Sequence, residues 1–285
     1  MRREKLKALA TRLYSAILRS ESHYLFAVRQ QRLSELAREL ESDARLITPH
    51  GWSGYSQNDE DGILQEIFKR IKTESERFVE FGAGDCLENS CTYLLLSGWR
   101  GTWIEASHTE VRSIEQHFGS YITTDDLTVI EAFVTPQTIN KLIRDEPDLL
   151  VIDIDGNDYY VWEALDIRPR VVMIEYNATF RPPVAIVQEY SPQPFWHGEN
   201  FYGASLAAME LLGRKKGYSL VGCNYVGTNA FFVRNDLVSG KFSEPFTATH
   251  HYREQLIDGM QWGSTRQIRS AGGGSRRYIV LNPEP

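Results

Sequence analysis

The sequence predicts a doubly wound α/β fold: a mostly parallel sheet covered by helices on both faces, closed by an antiparallel C-terminal hairpin and preceded by an N-terminal helical extension. Three observations predict it. Short apolar runs alternate with amphipathic stretches through the middle of the chain, the pattern of successive βαβ units. Several runs, such as Leu149-Leu150-Val151-Ile152 and Val171-Val172-Met173-Ile174, are continuously apolar, as strands buried on both faces must be. The first run ends in Gly82-Ala83-Gly84, where the backbone can turn tightly from strand into helix.

Bulk properties bound the reading. A length of 285 residues suits one large α/β domain with added elements. With 42% hydrophobic and 24% charged residues, neither a disordered nor a membrane class is indicated. No apolar run approaches the roughly 20 residues of a membrane-spanning helix. The basic start, Met1 to Lys5, leads into a charged stretch and not into a signal-peptide core, so a cytoplasmic protein is expected. The formal charge of −7 argues against a nucleic-acid binder. Cys86, Cys91 and Cys223 form no metal or disulfide pattern and read as small packing residues.

Taken in order, residues 1–47 form a helical arm, with Leu6, Leu9, Leu13 and Ile17, then Leu25, Leu33, Leu36 and Leu40 at helical spacing. The arm reads as a dimerisation element that would make a homodimer, as a lid over the active site, or as a layer packed on its own domain. The catalytic domain is expected over 48–240, entered through the turn-rich linker 48–54. Residues 56–61 then offer N-cap candidates for a helix through Ile63, Leu64, Ile67, Phe68 and Ile71. Strands are expected at 77–81, 101–105, 127–133, 149–153 and 170–175, with helices at 89–97, 110–118, 136–145 and 158–165 between them. Residues 177–203, rich in Pro and aromatics, read as a long functional loop. A helix at 204–216 precedes the hairpin strands 218–222 and 229–234. The C-terminal extension, 241–285, is weakly patterned and holds a flexible hinge at 271–275.

Two motif groups carry chemistry. In Phe78 to Asp85 (FVEFGAGD) a buried strand runs into the glycine turn and then a helix N-terminus, a Rossmann-like arrangement for a nucleotide cofactor, although Leu87 stands where a dinucleotide fingerprint has its third glycine. About twenty residues on, Glu105 closes the second strand where a ribose diol would be gripped; the alternative is an exposed strand-end acid or helix cap. The second group is Asp153 to Asp158 (DIDGND) after the fourth strand and Ile174 to Asn177 (IEYN) after the fifth, placing Asp153, Asp155, Asp158, Glu175 and Asn177 near one crevice. Such oxygen ligands suit Mg²⁺ or another divalent cation, and a carboxylate there can also act as a general base. Asn157 and Asp158 have a plainer role available as helix caps.

These motifs, with YSQNDEDGIL, GTWIEAS and IEAFVTPQTIN, resemble the FkbM-like group of class I S-adenosylmethionine-dependent methyltransferases over residues 55–234. The resemblance implies a seven-stranded sheet with an antiparallel last strand and S-adenosyl-L-methionine as cofactor. Carried over by position, Glu80, Gly82 and Gly84 line the methionine end, Glu105 holds the ribose and Asp153 borders the transferred methyl, with Ala83, Asp85 and Ala106 as further cofactor-binding residues. From its own position Glu80 reads either as a partner of the methionine amino group or as a buried ion-pair carboxylate. In the family's Asp-x-Glu-Gly motif Asp155 here replaces the glutamate.

The expected activity is methyl transfer to a hydroxyl, in second place to an amine, of a small polar acceptor, with saccharides and natural-product intermediates suggested by the family. Asp155 acts as base, or a divalent ion on Asp155, Glu175 and Asn177 lowers the hydroxyl pKa. The aromatic loop with Tyr190, Phe195, Trp196, His197 and Tyr202 closes over the acceptor, His197 being a second candidate base and otherwise a solvated histidine. The rival readings are an NAD-dependent oxidoreductase and a non-catalytic binding or assembly module.

Overall fold

A computed structural model describes residues 30–143, 145–154, 156–192, 202–255 and 278–281. The chain divides into two compact units, Met1–Ala44 and Arg45–Pro285. In the first, helix α1 spans 30–42 and carries Leu33 and Leu40 on its surface. The earlier part of the predicted arm lies outside the described residues.

In the second unit a sheet of seven strands is formed by β1 (Arg77–Phe81), β2 (Arg100–Glu105), β3 (Leu127–Glu131), β4 (Leu149–Ile152), β5 (Val171–Glu175), β7 (Tyr218–Cys223) and β8 (Asn229–Arg234). Their order is β3-β2-β1-β4-β5-β8-β7. The first five run parallel, and β8 is inserted between β5 and β7, antiparallel to both. This is the Rossmann-like, mostly parallel seven-stranded sheet with a C-terminal hairpin that the sequence predicts.

The helices are α2 (Glu60–Ile71), α3 (Thr92–Leu96), α4 (His108–Thr123), α5 (Ile139–Leu142), α6 (Asp158–Ala164), α7 (Leu206–Lys216) and α8 (Ala248–His251). Because strand side chains alternate between faces, the apolar runs feed two cores. On one face Phe81, Leu150, Ile152, Val172 and Ile174 pack with Trp162 of α6 and Met209 of α7. On the other, Phe78, Trp103, Val151 and Met173 pack with Ile63 and Ile67 of α2, Leu94 of α3 and Ile114 of α4. Ser107 caps α4 by accepting from Glu110 N–H, and Ser205 caps α7 by accepting from Ala208 N–H; α7 ends at left-handed Gly217. All three cysteines are free and buried, as packing residues are.

Several boundaries differ from the expectation for local reasons. The helix expected from residue 89 starts at Thr92, because the preceding residues are spent on a turn with left-handed backbone at Gly82, Gly84 and Cys86. The helix expected over 136–145 shrinks to α5, since Thr135 and Thr138 bond each other's backbone and hydroxyls in a competing turn. Helix α4 runs beyond its predicted end, past a kink at Phe118. Within the loop expected over 177–203, strand β6 (Ile186–Gln188) pairs with β9 (Tyr278–Val280) from the C-terminal extension. These two strands, three residues each, are too short to announce themselves. The predicted hinge at 271–275 lies outside the described residues. Among the described residues no helix is long and apolar enough to cross a membrane.

Candidate functional site

Strand register assembles the site. Phe81 pairs with Ile104 and with Ile152, and Ile152 with Ile174. One step further along each strand stand Gly82, Glu105, Asp153 and Glu175, and the pairs Glu105↔Glu131 and Glu175↔Asn229 extend the row to β3 and β8. Along the carboxyl edge of the sheet the order is therefore Glu131, Glu105, Gly82, Asp153, Glu175, Asn229. Four carboxylates flank a glycine gap. Neighbouring like charges on adjacent strands repel, so this edge favours a ligand offering cationic groups or O–H and N–H donors.

The two glycines of the turn serve different ends. A Cβ on Gly82 (φ +68°) would lie 1.8 Å from the Asp153 carbonyl oxygen, so this glycine is required by the contact between β1 and β4. Gly84 (φ +59°) has no atom within 4 Å of that position, and its open side is where a ligand can approach the backbone. Ala83 is buried, Asp85 accepts from Leu87 N–H within the turn, and Leu87 is exposed.

Glu105 is nearly buried and holds two amides: Oε2 accepts from Gly84 N–H at 2.9 Å and Oε1 from Ser107 N–H at 2.7 Å. Each oxygen keeps a lone pair, which matches the two O–H donors of a vicinal diol. Ala106, beside it, is exposed. Glu80 lies deeper, 3% exposed, and its oxygens accept from Asn89 Nδ2 and Trp103 Nε1 (both 2.9 Å) and from Ser90 N–H at 3.1 Å. Burial pushes its carboxyl up to about 7 in spite of these donors. Glu80 thus fixes the far limb of the turn from inside.

At the end of β4, Asp153 is exposed. Asp158 is 1% exposed and closes the DIDGND turn: Oδ1 accepts from Ile154 N–H and Oδ2 from Gly156 N–H, both at 2.9 Å. Asn157 donates from Nδ2 to the Ser191 carbonyl at 2.6 Å and accepts from Ser191 N–H. At the end of β5, half-buried Glu175 accepts from the Tyr202 hydroxyl at 3.2 Å. Asn177 donates to the Tyr202 carbonyl and accepts from Thr179 N–H, both at 2.9 Å. Its amide nitrogen and oxygen both bond loop backbone. Asp155, His197, Phe195 and Trp196 lie outside the described residues. Among the described residues no group of three His, Cys, Asp or Glu is placed to hold a metal ion.

The register also brings in residues the sequence reading missed. Glu131 closes β3 beside Glu105 and bonds His108 Nδ1 at 2.8 Å. Glu60, expected as a cap, is 1% exposed and accepts from Asn224 and Asn229 of the β7–β8 hairpin, tying α2 to the end of the row. Asp61 accepts from Gly54, Tyr55 and Ser56 N–H. A place among the N-cap candidates gave Glu60 a local explanation that concealed its distant partners.

No protein-family model matches the chain, and no curated protein matches its sequence. Its fold is similar to solved structures of S-adenosylmethionine-dependent methyltransferases. The magnesium protoporphyrin IX methyltransferase of Synechocystis, solved with S-adenosylhomocysteine, is 11% identical with a TM-score of 0.44 over 62% of this chain and 83% of its own. An S-adenosylmethionine-dependent methyltransferase of Clostridium acetobutylicum is 11% identical with a TM-score of 0.42, covering 64% of this chain and 92% of its own. The CcbJ methyltransferase of Streptomyces caelestis is 10% identical with a TM-score of 0.40, covering 67% and 96%.

Proposed function

We propose that the chain is an S-adenosylmethionine-dependent methyltransferase of the FkbM-like group, acting on a hydroxyl of a small polar acceptor such as a saccharide or natural-product intermediate. The observation that carries this reading is the carboxylate row broken at Gly82, with Glu105 presenting two oriented acceptors beside the open side of Gly84. A ribose diol satisfies Glu105, and an ammonium and a sulfonium are attracted by the acids around it. A dinucleotide is the poorer match: its ribose would also satisfy Glu105, but its pyrophosphate would lie at the glycine turn inside an acidic row, and the third fingerprint position is Leu87.

Bound S-adenosylmethionine would supply an already activated methyl group. What the protein then contributes is alignment and removal of the acceptor's proton. In this reading Glu80, Gly82 and Gly84 hold the methionine end, Glu105 the ribose, and Asp153 the border with the transferred methyl, with Ala83, Asp85 and Ala106 lining the cofactor. Asp155 and Glu175 are the carboxylates for proton removal, with Tyr202 orienting Glu175 and His197 the other candidate base.

Labelled S-adenosylmethionine presented with a panel of saccharides tests the proposal. Label should pass to a hydroxyl, should do so equally after thorough chelation, and should fall at least about 100-fold in the variant lacking the acting base. Label recovered on nitrogen would move the acceptor class to amines, and loss of transfer on chelation would restore the metal scheme.

A further inference from the structure

We propose that Glu105 is also a positioning residue for the glycine turn, so that the ribose and amino-acid ends of the cofactor bind cooperatively through one carboxylate. The inference rests on the cofactor reading above and extends it. The turn between β1 and α3 is fixed at both limbs. Gly82 is wedged against the Asp153 carbonyl, and the far limb is held by Glu80 through Asn89 and Ser90 and by the bond from the Thr92 hydroxyl to the Cys86 carbonyl at 2.7 Å. At the crest, Gly84 has open space where a side chain would be, and its N–H reaches Glu105 Oε2 at 2.9 Å. That bond ties the crest to β2.

Glu105 Oε1 is anchored in turn by Ser107 N–H, so the carboxylate is held in one orientation between two loops. A diol donating to its remaining lone pairs draws on the same two oxygens that hold Gly84 and Ser107. Whatever fixes Glu105 therefore fixes the crest, and the crest lines the amino-acid end of the cofactor. A glutamine at this position has one acceptor oxygen, so one of the two backbone N–H groups must lose its partner whichever way the amide is turned.

Calorimetry with adenosine, which carries the diol but no amino acid, and with S-adenosylhomocysteine, which carries both, separates the two roles. In E105Q adenosine should weaken about 10-fold and S-adenosylhomocysteine about 100-fold, the second factor of ten being the loss at the amino-acid end. Equal losses for the two ligands would overturn the positioning role while leaving the cofactor reading intact. Failure of S-adenosylhomocysteine to bind the wild-type protein would instead remove that reading, and this inference with it. A measurement on the wild-type chain avoids any folding defect of the variant. Saturating adenosine should slow amide hydrogen exchange over residues 84–87 about 5-fold or more, although it has no atoms at the amino-acid end. Unchanged exchange there would contradict the proposal.

Discussion

The two halves of the sheet's carboxyl edge hold their loops in different ways. At β1 and β2, strand carboxylates hold the backbone of the glycine turn: Glu80 at Ser90 in the loop that follows its own strand, and Glu105 at Gly84 from the neighbouring strand. At β4 and β5, the motif side chains just beyond the strands hold turns and the long loop: Asp158 closes its own turn, Asn157 holds Ser191 and Asn177 holds Tyr202 and Thr179. The first half keeps acceptor capacity at the lip, on Glu105. The second uses its amides and Asp158 internally, and Glu175 accepts from Tyr202. A polar motif residue is thus informative about a ligand only after its own backbone's demands have been met.

The contrast between the two turn glycines gives the largest expected effect. Gly82→Ala must fit a Cβ 1.8 Å from the Asp153 carbonyl in a left-handed conformation. It should lose more than about 5 kcal/mol or fail to fold, whereas Gly84→Ala, with open space and only the backbone strain, should lose about 1–2 kcal/mol in urea unfolding. Similar losses at the two sites would erase the distinction between a structural and a ligand-facing glycine.

The pH dependence of stability tests the burial of Glu80 next. Glu80 is raised by burial from 4.5 to about 7. The folded protein therefore binds the proton more tightly than the unfolded chain, and the contribution is complete below pH 4.5 and lost as pH rises through 7, amounting to about 3 kcal/mol. His251 works in the opposite sense: burial and then His250 lower it from 6.5 to about 3, so stability is complete above pH 6.5 and falls towards pH 3. Denaturant titrations across pH 4–8 should show the Glu80 contribution vanish in Glu80→Gln while the acid limb persists. An unchanged profile in that variant would mean that Glu80 does not titrate in this range.

Asp158→Ala should cost about 2–3 kcal/mol, because it strands the N–H groups of Ile154 and Gly156. Asn177→Ala should cost about 1–2 kcal/mol and leave S-adenosylhomocysteine affinity within about 2-fold, since its bonds go to the acceptor-side loop. A large loss of cofactor affinity from Asn177→Ala would show the halves to be coupled.

Much of the sheet was legible in the sequence, because strands buried on both faces must be apolar throughout. Strands β1 and β8 fall at the expected residues 77–81 and 229–234. Short elements were not legible: β6, β9 and α8 have three or four residues each, too few for a period to register. At the site, the glycine turn and Glu105 could be placed because a strand-turn-helix signal fixes them locally. The side-by-side arrangement of Glu131, Glu105, Asp153 and Glu175 is a property of register, which no single strand encodes. The partners of Glu60, Asn224 and Asn229, are more than 160 residues away, and that distance is why this buried acid passed for a cap.

The central claim, that the edge around Gly82 selects a nucleoside bearing an amino acid over a dinucleotide, is tested most directly by calorimetry of the full chain with S-adenosylhomocysteine and with NAD. The account predicts one S-adenosylhomocysteine bound per chain with micromolar affinity, about −8 kcal/mol, sharply weakened in Glu105→Ala, and no measurable heat with NAD. Binding of NAD alone, or of neither ligand, would contradict it.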